Sequence, residues 1–590
     1  MFTSRPEISG TFGVAASTHW IATGVAMSVL ERGGNAFDAA AAAGFTLQIV
    51  EPHMNGPGGE VPIIFYDAKS YKVRVVCGQG PAPSAASVGY FEGLGLELIP
   101  GTGLLAACVP GAFDAWMLLL QEYGSWSVKD ILAPAISYAE FGHPITVGAS
   151  GVVSSMQGMF QNDWPTSAAV YLNNRKAPVP GRLFRNTALA NTYKRIVSEA
   201  EAAGTDRDRQ IDAARASWSS GFVAEAIDVF CQNSQVLDTS GRRHSGLLTG
   251  TDMASWKATF DDPVEYDYCG YTVCKCGPWS QGPVFLGQLA LLKKFNLEAM
   301  DPYGPEFIHT VTECAKLAFA DREVFFGDPK FTGVPLSTLL SEDYNKARQS
   351  LISDNASVEH RPGRVPGFGK TLRIGSETGH SLMPGVGEPT QSMLNLNRGD
   401  TCHLDVIDTH GNIVSATPSG GWLQGSPVVP DLGFPLGTRA QMFWLDQDHP
   451  NGLAPGKRPR TTLSPSLAIK DGRPYMAFGT PGGDQQDQWS LVFFLRHVHH
   501  GLNLQESIDA STFHTNHFCS SFYPRKALPG HLALEGGFSL DTISNLKERG
   551  HKLELADPWS YGRLSACTWE AGLLKAGANP RGMQGYAAGR

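Results

Sequence analysis

The 590-residue sequence lacks several features that would assign it to other classes of protein. It has 47 lysine and arginine residues against 56 aspartate and glutamate residues, so no excess of positive charge is available to bind nucleic acid. Its longest apolar runs, such as residues 39–50, are too short to span a lipid bilayer. We therefore expect neither a nucleic acid nor a membrane as a partner.

Cysteine is also scarce, and the beginning of the chain does not resemble a secretion signal. The 10 cysteines are scattered, and residues 1–20 have no long apolar core of the kind that a signal peptide carries. Scattered cysteines in a long chain without such a signal are typical of reduced thiols in a cytosol. The sequence therefore predicts a cytoplasmic protein.

Glycine and proline, in contrast, are abundant, and helix and strand patterns alternate between them. Apolar residues at helical spacing predict helices over residues 18–34, 35–52 and 305–329, whereas two β-rich runs joined by "DAKS" predict a hairpin over residues 60–80. The charged stretch 195–220 predicts a solvated helix or an insertion. The chain is therefore expected to combine helices with sheets.

The composition changes between residues 351 and 400, where large apolar residues become rare and Gly, Pro and Ser become common. This composition is typical of a loop or linker. Strands then follow at once, in "TCHLDVID" and "NIVSATPS" with the turn "HGN" between them. Thr401 stands at the junction. Taken alone, it is most simply a β-branched residue that begins a strand.

The histidines of the last third of the chain give only weak grounds for a metal site. The run "HVHH" at 497–500, together with His514, His517 and Cys519, carries the imidazole and thiolate groups that zinc prefers. A helix end with exposed histidines, followed by a loop, explains the same residues more simply. We predict neither a metal nor any other cofactor.

Seven stretches, in this order along the chain, resemble the γ-glutamyltranspeptidase family of N-terminal-nucleophile hydrolases. They are "GGNAFDAAAAAGFTLQIVEPHMNGPGGE", "VPGAFDAW", "ILAPAISYAEFG", "LAFADREVFFGDP", "TCHLDVIDTHGNIVSAT", "KRPRTTLSPSLAIKDG" and "GTPGGDQQ". Any one of them is a weak indication, but all seven in order are specific. The resemblance extends over most of the chain.

The resemblance implies a proenzyme that cleaves its own chain between Asp400 and Thr401. Residues 1–400 would form a large subunit, with residues from about 351 to 400 as its tail, and residues 401–590 would form a small subunit. Both would fold together as a four-layer αββα sandwich of the α/β (α+β) class. The tail would cross the active site before cleavage and move away afterwards. Whether two such heterodimers form a dimer is left open.

Cleavage would make Thr401 both the nucleophile and the base of an amide hydrolase. A threonine hydroxyl is a poor nucleophile until a base takes its proton. The new α-amine, with a pKa of about 7.7 to 8.0, can do so. An acyl-enzyme would form and be released by water or an amine. The resemblance also implies that the N–H groups of Gly482 and Gly483 hold the oxyanion, and such donors contribute about 3 kcal/mol each.

The resemblance further implies a group of hydroxyl side chains around the nucleophile. His403 completes the T-x-H motif and Thr417 supports it, whereas Ser419, Thr461 and Thr462 would line the substrate site. Each also has an ordinary structural explanation, because threonine is common in strands and Ser-Gly-Gly is typical of turns.

The residues that bind a glutamyl group in the family are missing. Gln79 replaces an arginine that grips the α-carboxylate, and Phe443 and Trp444 stand where acidic residues hold the α-amino group. A neutral amide cannot make the paired, charge-assisted hydrogen bonds that arginine makes with a carboxylate. Burying an unpaired carboxylate and ammonium would be costly. We therefore expect γ-glutamyl compounds to be poor substrates.

Arg439 could supply a replacement positive charge. The sequence predicts a small carboxylate-bearing amide held by Arg439 and walled by Phe443 and Trp444. The stretches "NGPGGE", "TPSGGW" and "RAQMFWL" resemble the branch of the family described as oxamate amidohydrolases, which convert oxamate to oxalate and ammonia. The alternatives are a γ-glutamyl transferase or glutathione hydrolase, an acylase for a bulkier amide, and a non-catalytic scaffold that never cleaves.

Overall fold

The structure is a computed structural model that describes residues 3–369, 372–374 and 401–590. The end of the expected large-subunit tail, including Asp400, lies outside these described residues. Within them, no helix combines the length and the apolar character that crossing a membrane requires. The helices that precede residue 256 are α1 (Trp20–Glu31), α2 (Ala36–Val50), α3 (Val88–Gly93), α4 (Ala112–Tyr123), α5 (Val128–Phe141), α6 (Val147–Asn162), α7 (Pro165–Tyr171), α8 (Thr187–Ala202), α9 (Arg207–Ser219), α10 (Phe222–Asn233) and α11 (Gly250–Ser255). The later helices are α12 (Gly282–Leu292), α13 (Pro305–Phe325), α14 (Leu336–Leu339), α15 (Glu342–Gln349), α16 (Gln486–His500), α17 (Leu504–Asp509) and α18 (Leu540–Glu548).

Two antiparallel sheets of seven strands each form the centre of the protein. The first sheet has the spatial order β21 (Tyr586–Gly589), β2 (Val14–Ser17), β12 (Leu404–Ile407), β13 (Ile413–Ala416), β3 (Val61–Asp67), β4 (Lys72–Gly78) and β9 (Thr259–Asp261). The second has the order β1 (Ile8–Gly10), β20 (Leu573–Ala578), β19 (Ser565–Glu570), β15 (Arg473–Gly479), β14 (Ser466–Lys470), β11 (Tyr271–Lys275) and β10 (Val264–Tyr268). Three small sheets pair β16 (Phe513–His514), β17 (His531–Leu534) and β18 (Lys552–Leu555), then β5 (His143–Pro144) with β6 (Leu183–Phe184), and β7 (Val236–Leu237) with β8 (Arg243–His244).

Alternating side chains along the strands place the two large sheets between two helical layers. In β3, Ile63 and Phe65 pack into the core shared with α2 and α4, whereas Ile64 faces the core between the sheets. In β15, Phe478 packs with α12, α13 and α16, and Ala477 faces the inter-sheet core. This period of two is what a strand buried on both faces requires. The expected four-layer αββα sandwich is confirmed.

The helices form where the sequence predicts them, and local signals explain their ends. Asn35 caps α2 and forms a capping box with Asp38, and the alanine-rich helix that follows packs closely enough for a Cβ on Gly44 to lie 2.4 Å from Trp116. The charged stretch 195–220 falls in two helices, α8 and α9. These helices are packed rather than merely solvated, because Trp218 of α9 is buried in the first helical layer.

The hairpin that follows Thr401 lies in the middle of the first sheet. Strand β12 pairs with β2 on one side and with β13 on the other, and β13 pairs in turn with β3. At the two ends of the chain, β21 pairs with β2 and β1 pairs with β20. Both large sheets therefore contain strands from before and from after position 400.

Two glycine-rich segments cross beside this hairpin with their backbones in contact. A Cβ on Gly59 would lie 2.0 Å from the carbonyl oxygen of Ser419, and a Cβ on Gly56 would lie 2.5 Å from that of Gly421. Gly420 has a φ of +73°, which favours glycine for conformational reasons as well. The segments "NGPGG" and "SGG" therefore need glycine because no side chain fits between them.

We expect Gly59→Ala to lower the free energy of unfolding, by about 1–3 kcal/mol, because the new methyl group overpacks a backbone contact. Gly24→Ala is the matched control. Gly24 lies inside α1 with nothing within 4 Å of its Cβ position, so alanine should be neutral or stabilising there. Urea unfolding followed by circular dichroism measures both variants, and equal midpoints would contradict the close crossing.

Candidate active site

Thr401 is buried opposite Ser419, and their hydroxyl groups are in contact. Thr401 is 1% exposed and forms an antiparallel β-bridge with Ser419. The distance between Thr401 Oγ1 and Ser419 Oγ is 3.0 Å. The pairing of β12 with β13 extends to this pair, because the Cys402 N–H donates to the Pro418 carbonyl at 2.9 Å. The regular strand begins at Leu404, three residues later than the sequence suggested. Thr401 therefore lies at the mouth of the hairpin, facing a second hydroxyl.

His403 is enclosed by a fully buried polar network beneath Thr401. Its Nδ1 lies 2.9 Å from Thr417 Oγ1, and its Nε2 lies 3.0 Å from Asp405 Oδ1. Asp405 also accepts hydrogen bonds from Ser415 and Ser565, each at 2.8 Å. Both oxygens of the Asp405 carboxylate thus have hydrogen-bond partners inside the protein. These contacts agree with a supporting role for His403 and Thr417 and give neither of them access to a substrate.

Cys402, the residue after Thr401, is tied to a buried carboxyl group. Its thiol donates to Glu51 at 3.0 Å, Thr18 donates to the same carboxyl at 2.7 Å, and the Gln584 amide donates to its other oxygen. Burial raises the pKa of Glu51, whereas the Arg563 guanidinium, 3.5 Å away, opposes this rise. The backbone around Thr401 is therefore anchored to segments near both ends of the chain.

Arg439 lies next to the two hydroxyl groups, and it is not an isolated charge. Its Nη2 donates to Ser419 Oγ at 2.6 Å, and its Nε donates to the Glu60 carboxylate. The side chain is fully buried, and its Nη1 has no hydrogen-bond partner among the described residues. Guanidinium, carboxylate and hydroxyls therefore form one row from Glu60 through Arg439 and Ser419 to Thr401. This row agrees with the expected position of Arg439 beside Thr401.

The aromatic rings around Arg439 are Trp422 and Phe522, and the expected wall of Phe443 and Trp444 is wrong. The Arg439 guanidinium lies 4.8 Å from the centre of the Trp422 ring and 5.6 Å from that of Phe522. Phe443 is buried in a separate apolar cluster with Phe91 and Leu105. Trp444 stacks on Arg525, with 3.9 Å between ring centre and guanidinium.

A short helical turn explains why that aromatic wall is displaced. Residues Arg439–Met442 form a 3₁₀ helix, in which side chains three positions apart share a face. Met442 accordingly packs with Trp422 and Phe522 beside Arg439, and the chain becomes extended at Phe443. The sequence does not show where such a turn begins. The side chains that lie next to Arg439 and Thr401 could therefore not be predicted from it.

Gln79 is buried at the end of β4, away from these contacts. Its amide nitrogen donates to the Gly80 carbonyl at 2.9 Å, and its amide oxygen has no partner among the described residues. None of these residues forms a hydrogen bond that joins Gln79 to Thr401 or Arg439. A role for Gln79 in binding substrate therefore stays a prediction.

Gly482 and Gly483 form a tight loop that approaches the hairpin of Thr401. Both have positive φ angles, +130° and +53°, and neither N–H makes a hydrogen bond with the described residues. The loop follows Gly479, whose Cβ position is 2.3 Å from the His403 ring. Two backbone donors without partners beside the T-x-H strand are suited to an oxyanion.

The Thr461–Thr462 segment is joined to the same loop by Gln281. The Gln281 N–H donates to the Thr461 carbonyl at 2.9 Å, and its side-chain amide donates to the Gly483 carbonyl at 3.2 Å. Thr462 Oγ1 is buried and has no hydrogen-bond partner in the part of the chain that the structure describes. The structure thus brings Thr461, Thr462, Gly482 and Gly483 into one neighbourhood.

A buried network of charges stands behind these two segments. Arg322 pairs with Asp484 and with Glu323, and Arg460 pairs with Glu323 at 2.9 Å. Burial opposes the ionisation of Glu323, but the guanidinium groups of Arg460 and Arg322 outweigh it and lower the pKa of Glu323 to about 2. Burial lowers the pKa of Arg460 to about 10. Glu323 is therefore ionised at neutral pH.

The histidines considered for a metal site make separate contacts. His497 bonds Tyr475 at 2.7 Å and His499 bonds Tyr268 at 2.9 Å, so their rings do not converge. A different group, His309, Glu313 and His551, brings three potential ligand atoms together.

The charges around this group do not favour a metal ion. Lys316 lies 2.6 Å from the Glu313 carboxylate and Arg361 lies 3.0 Å from it, so two cations already neutralise that carboxylate. The rings of His309 and His551 are hydrogen-bonded to each other at 2.9 Å. These residues are better suited to structure than to a cation.

Four residues of the site were not recognised in the sequence. Glu60 and Trp422 are the last residues of the glycine-rich stretches "NGPGGE" and "SGGW". These motifs drew attention to the stretches but did not indicate a role for either residue. Phe522 and Gln281 lie in stretches without a chemical motif, and only the fold brings them to the site.

Comparison with known proteins places this site in a family. A family model described as Gamma-glutamyltranspeptidase matches residues 22–589. The chain is 29% identical to the glutathione hydrolase-like YwrD proenzyme of Bacillus subtilis over 581 residues, covering 98% of both chains. It is also 29% identical to the oxamate amidohydrolase proenzyme of Klebsiella pneumoniae over 591 residues, again covering 98% of both chains.

Solved structures agree with these relatives. The structure of LmbA2991HD is 52% identical, with a TM-score of 0.93 and complete coverage of both chains. The cephalosporin acylase from Bacillus halodurans is 26% identical, with a TM-score of 0.82 and coverage of 100% of this chain and 97% of that one. Because the family model spans almost the whole chain and both neighbours share its fold, the chain belongs to the γ-glutamyltranspeptidase family of self-cleaving amide hydrolases.

Proposed function

We propose that the protein hydrolyses the amide of a small carboxylate-bearing substrate, with oxamate as the favoured substrate, through an acyl-enzyme on Thr401. One observation carries the proposal. Arg439 places one nitrogen 2.6 Å from Ser419 Oγ, which in turn lies 3.0 Å from Thr401 Oγ1, and no residue that the structure describes bonds to its Nη1. A substrate group bound to Nη1 would therefore lie within a few bond lengths of the nucleophile, which suits a small molecule.

The reaction follows from the positions of these groups. After cleavage of the 400–401 bond, the α-amine of Thr401 takes the proton of its own hydroxyl while Oγ1 attacks the amide carbonyl. The N–H groups of Gly482 and Gly483 hold the developing oxyanion. The amine proton then passes to the leaving nitrogen, the C–N bond breaks and ammonia departs. Water attacks the remaining ester with the amine again as base, and from oxamate this step releases oxalate.

Glu60 limits the charge that Arg439 offers to a substrate. Because Glu60 pairs with Nε, the two side chains together are neutral, and a carboxylate at Nη1 gains a charged hydrogen bond but also meets the field of Glu60. A glutamyl group would also need an acidic partner for its ammonium, and Phe443 and Trp444, which stand where the family has acidic residues, carry no charge. This arrangement supports a small anionic substrate more than a γ-glutamyl compound.

The cysteines, whose scattered positions predicted a cytoplasmic protein, support the same location as free thiols. All ten are free thiols, and Cys269 alone is exposed. We therefore propose a cytoplasmic enzyme, for which fractionation of the native cells is the test. Recovery of the cleaved chains from a secreted fraction would contradict this location.

Wild-type protein should give two bands on a denaturing gel, near two-thirds and one-third of the 63.4 kDa chain, because cleavage separates 400 residues from 190 of the 590. Thr401→Ala should give one intact band and no activity, since it removes the nucleophile. Ser419→Ala is the companion variant, which keeps Thr401 and should cleave more slowly. A single uncut wild-type band would contradict the proposed function.

Glu60→Gln should lower the KM for oxamate, because the neutral amide no longer repels a carboxylate bound to Arg439. The KM for oxamide, the uncharged analogue, should not change. Ammonia release measures both. Equal changes for the two compounds would contradict binding of the carboxylate by Arg439.

Arg439→Met combined with Glu60→Gln removes both charges together, so that neither is left buried and unpaired. This double variant should lose about tenfold to a hundredfold in kcat/KM for oxamate, the range expected for one hydrogen bond to a charged group. Parallel assays with a γ-glutamyl-anilide and a bulkier acyl amide separate the alternatives. Faster turnover of either compound than of oxamate by the wild type would favour a transferase or an acylase.

A further inference from the structure

The loop that carries the two proposed oxyanion donors is held in place by contacts within it and with the rest of the protein. Gly482 has a φ of +130° and Gly483 a φ of +53°, conformations outside the regular helix and strand regions. Each donor belongs to a peptide plane whose carbonyl is fixed locally. The Pro481 carbonyl accepts from Thr480 Oγ1 at 2.8 Å, and the Gly482 carbonyl accepts from the Gln485 N–H at 3.0 Å. The next residue, Asp484, anchors the loop to the rest of the protein.

Asp484 is a buried carboxylate with contacts on two sides. Its Oδ1 accepts hydrogen bonds from the Arg322 guanidinium and from Ser521 Oγ, the latter at 2.7 Å. Its Oδ2 accepts a hydrogen bond from the Ser521 N–H at 2.8 Å. Both carboxylate oxygens are thereby held. The side chain is only 2% exposed, so these interactions act in a medium of low dielectric constant.

Gln281 completes the anchor from the large-subunit side. Its amide oxygen accepts from Arg322 Nη1 at 2.8 Å, and its amide nitrogen donates to the Gly483 carbonyl at 3.2 Å. Arg322 is in turn bonded to the Cys519 carbonyl at 3.2 Å and stacked against Phe319, with 4.7 Å between guanidinium and ring centre. Rigid groups of α13 and of the segment before α12 therefore set the orientation of the loop.

The same carboxylate also reaches the wall of the substrate site. Ser521, which donates twice to Asp484, is followed directly by Phe522, and Phe522 lies against the Arg439 guanidinium. Asp484 thus stands between the donors for the oxyanion and the ring that borders the substrate group.

We propose that Asp484, held by Arg322 and Gln281, is the positioning residue of the oxyanion site. The inference rests on the proposed function, because it assumes that Gly482 and Gly483 receive the oxyanion. Asp484 itself does not touch the reacting atoms. It acts by keeping two N–H groups in a fixed direction before the reaction begins, so its effect should be confined to the transition state.

Asp484→Asn tests the proposal with little change of shape. The asparagine keeps one oxygen, but its NH2 group would face the Arg322 guanidinium in the Oδ1 position or the Ser521 N–H in the Oδ2 position, and each of these groups can only donate. We expect kcat to fall about tenfold to a hundredfold, as for a small misplacement of catalytic groups, while KM stays within about twofold of wild type. Steady-state ammonia release from fully cleaved enzyme measures both constants.

Asp328→Asn is the matched control. Asp328 is also buried, also pairs with an arginine across position 400, Arg458 at 2.7 Å, and touches neither the loop nor the substrate site. It should lower stability without changing kcat. If Asp328→Asn reduced kcat as much as Asp484→Asn, the effect would be general destabilisation and the proposal would be wrong.

Gln281→Met provides an independent test should Asp484→Asn fail to fold or to cleave. It removes the contacts to the Gly483 carbonyl without altering any charge, and it should also lower kcat with KM nearly unchanged. An unchanged kcat in the variants that fold, or a rise in KM alone, would overturn the proposal. The proposed function fails separately, if Thr401→Ala still hydrolyses oxamate or the wild type stays uncut.

Discussion

The contact between two backbones, "NGPGG" at 55–59 and "SGG" at 419–421, is the constraint on which the site depends. With a Cβ position of Gly59 only 2.0 Å from the Ser419 carbonyl, the two segments approach as closely as main chains can. This approach fixes Ser419 opposite Thr401 and brings Glu60, the next residue, to Arg439. The arrangement of Thr401, Ser419, Glu60 and Arg439 therefore depends on glycine at the point where the two segments cross.

Buried charges extend this constraint across the whole interface between the two parts of the chain. Within the described residues, six buried ion pairs join a residue before position 400 to a residue after it: Glu51–Arg563, Glu60–Arg439, Lys275–Asp487, Arg322–Asp484, Glu323–Arg460 and Asp328–Arg458. A buried pair adds little net stability, but loss of one partner leaves an uncompensated charge and costs about 3–5 kcal/mol. Such pairs specify one way of fitting the two parts together.

The sequence was a good guide wherever local chemistry decides the outcome. The contact of Ser419 with Thr401 and the positions of the long helices agree with expectations from motifs and periodicity, and the order of the motifs indicated the four layers. The aromatic rings beside Arg439 were mispredicted because a 3₁₀ turn at 439–442 decides which side chains lie next to it, and such a turn leaves no clear pattern in the sequence. Phe522 and Gln281 could not be found, since the fold alone brings them close to residues that are distant in the sequence. Long-range packing, rather than propensity, determines these contacts.

Strands from before and after position 400 pair with one another, and this pairing has a consequence for refolding after the proposed cleavage. While the chain is intact, every strand that must pair is connected to its partners, so folding is a unimolecular process. The proposed cleavage at position 400 would leave β12 and β13 between β2 and β3 without a covalent link at that position. If such a cleaved protein were unfolded, its two chains would first have to associate, and recovery of the folded protein would depend on their concentration. Self-cleavage would thus turn refolding from a unimolecular into a bimolecular process.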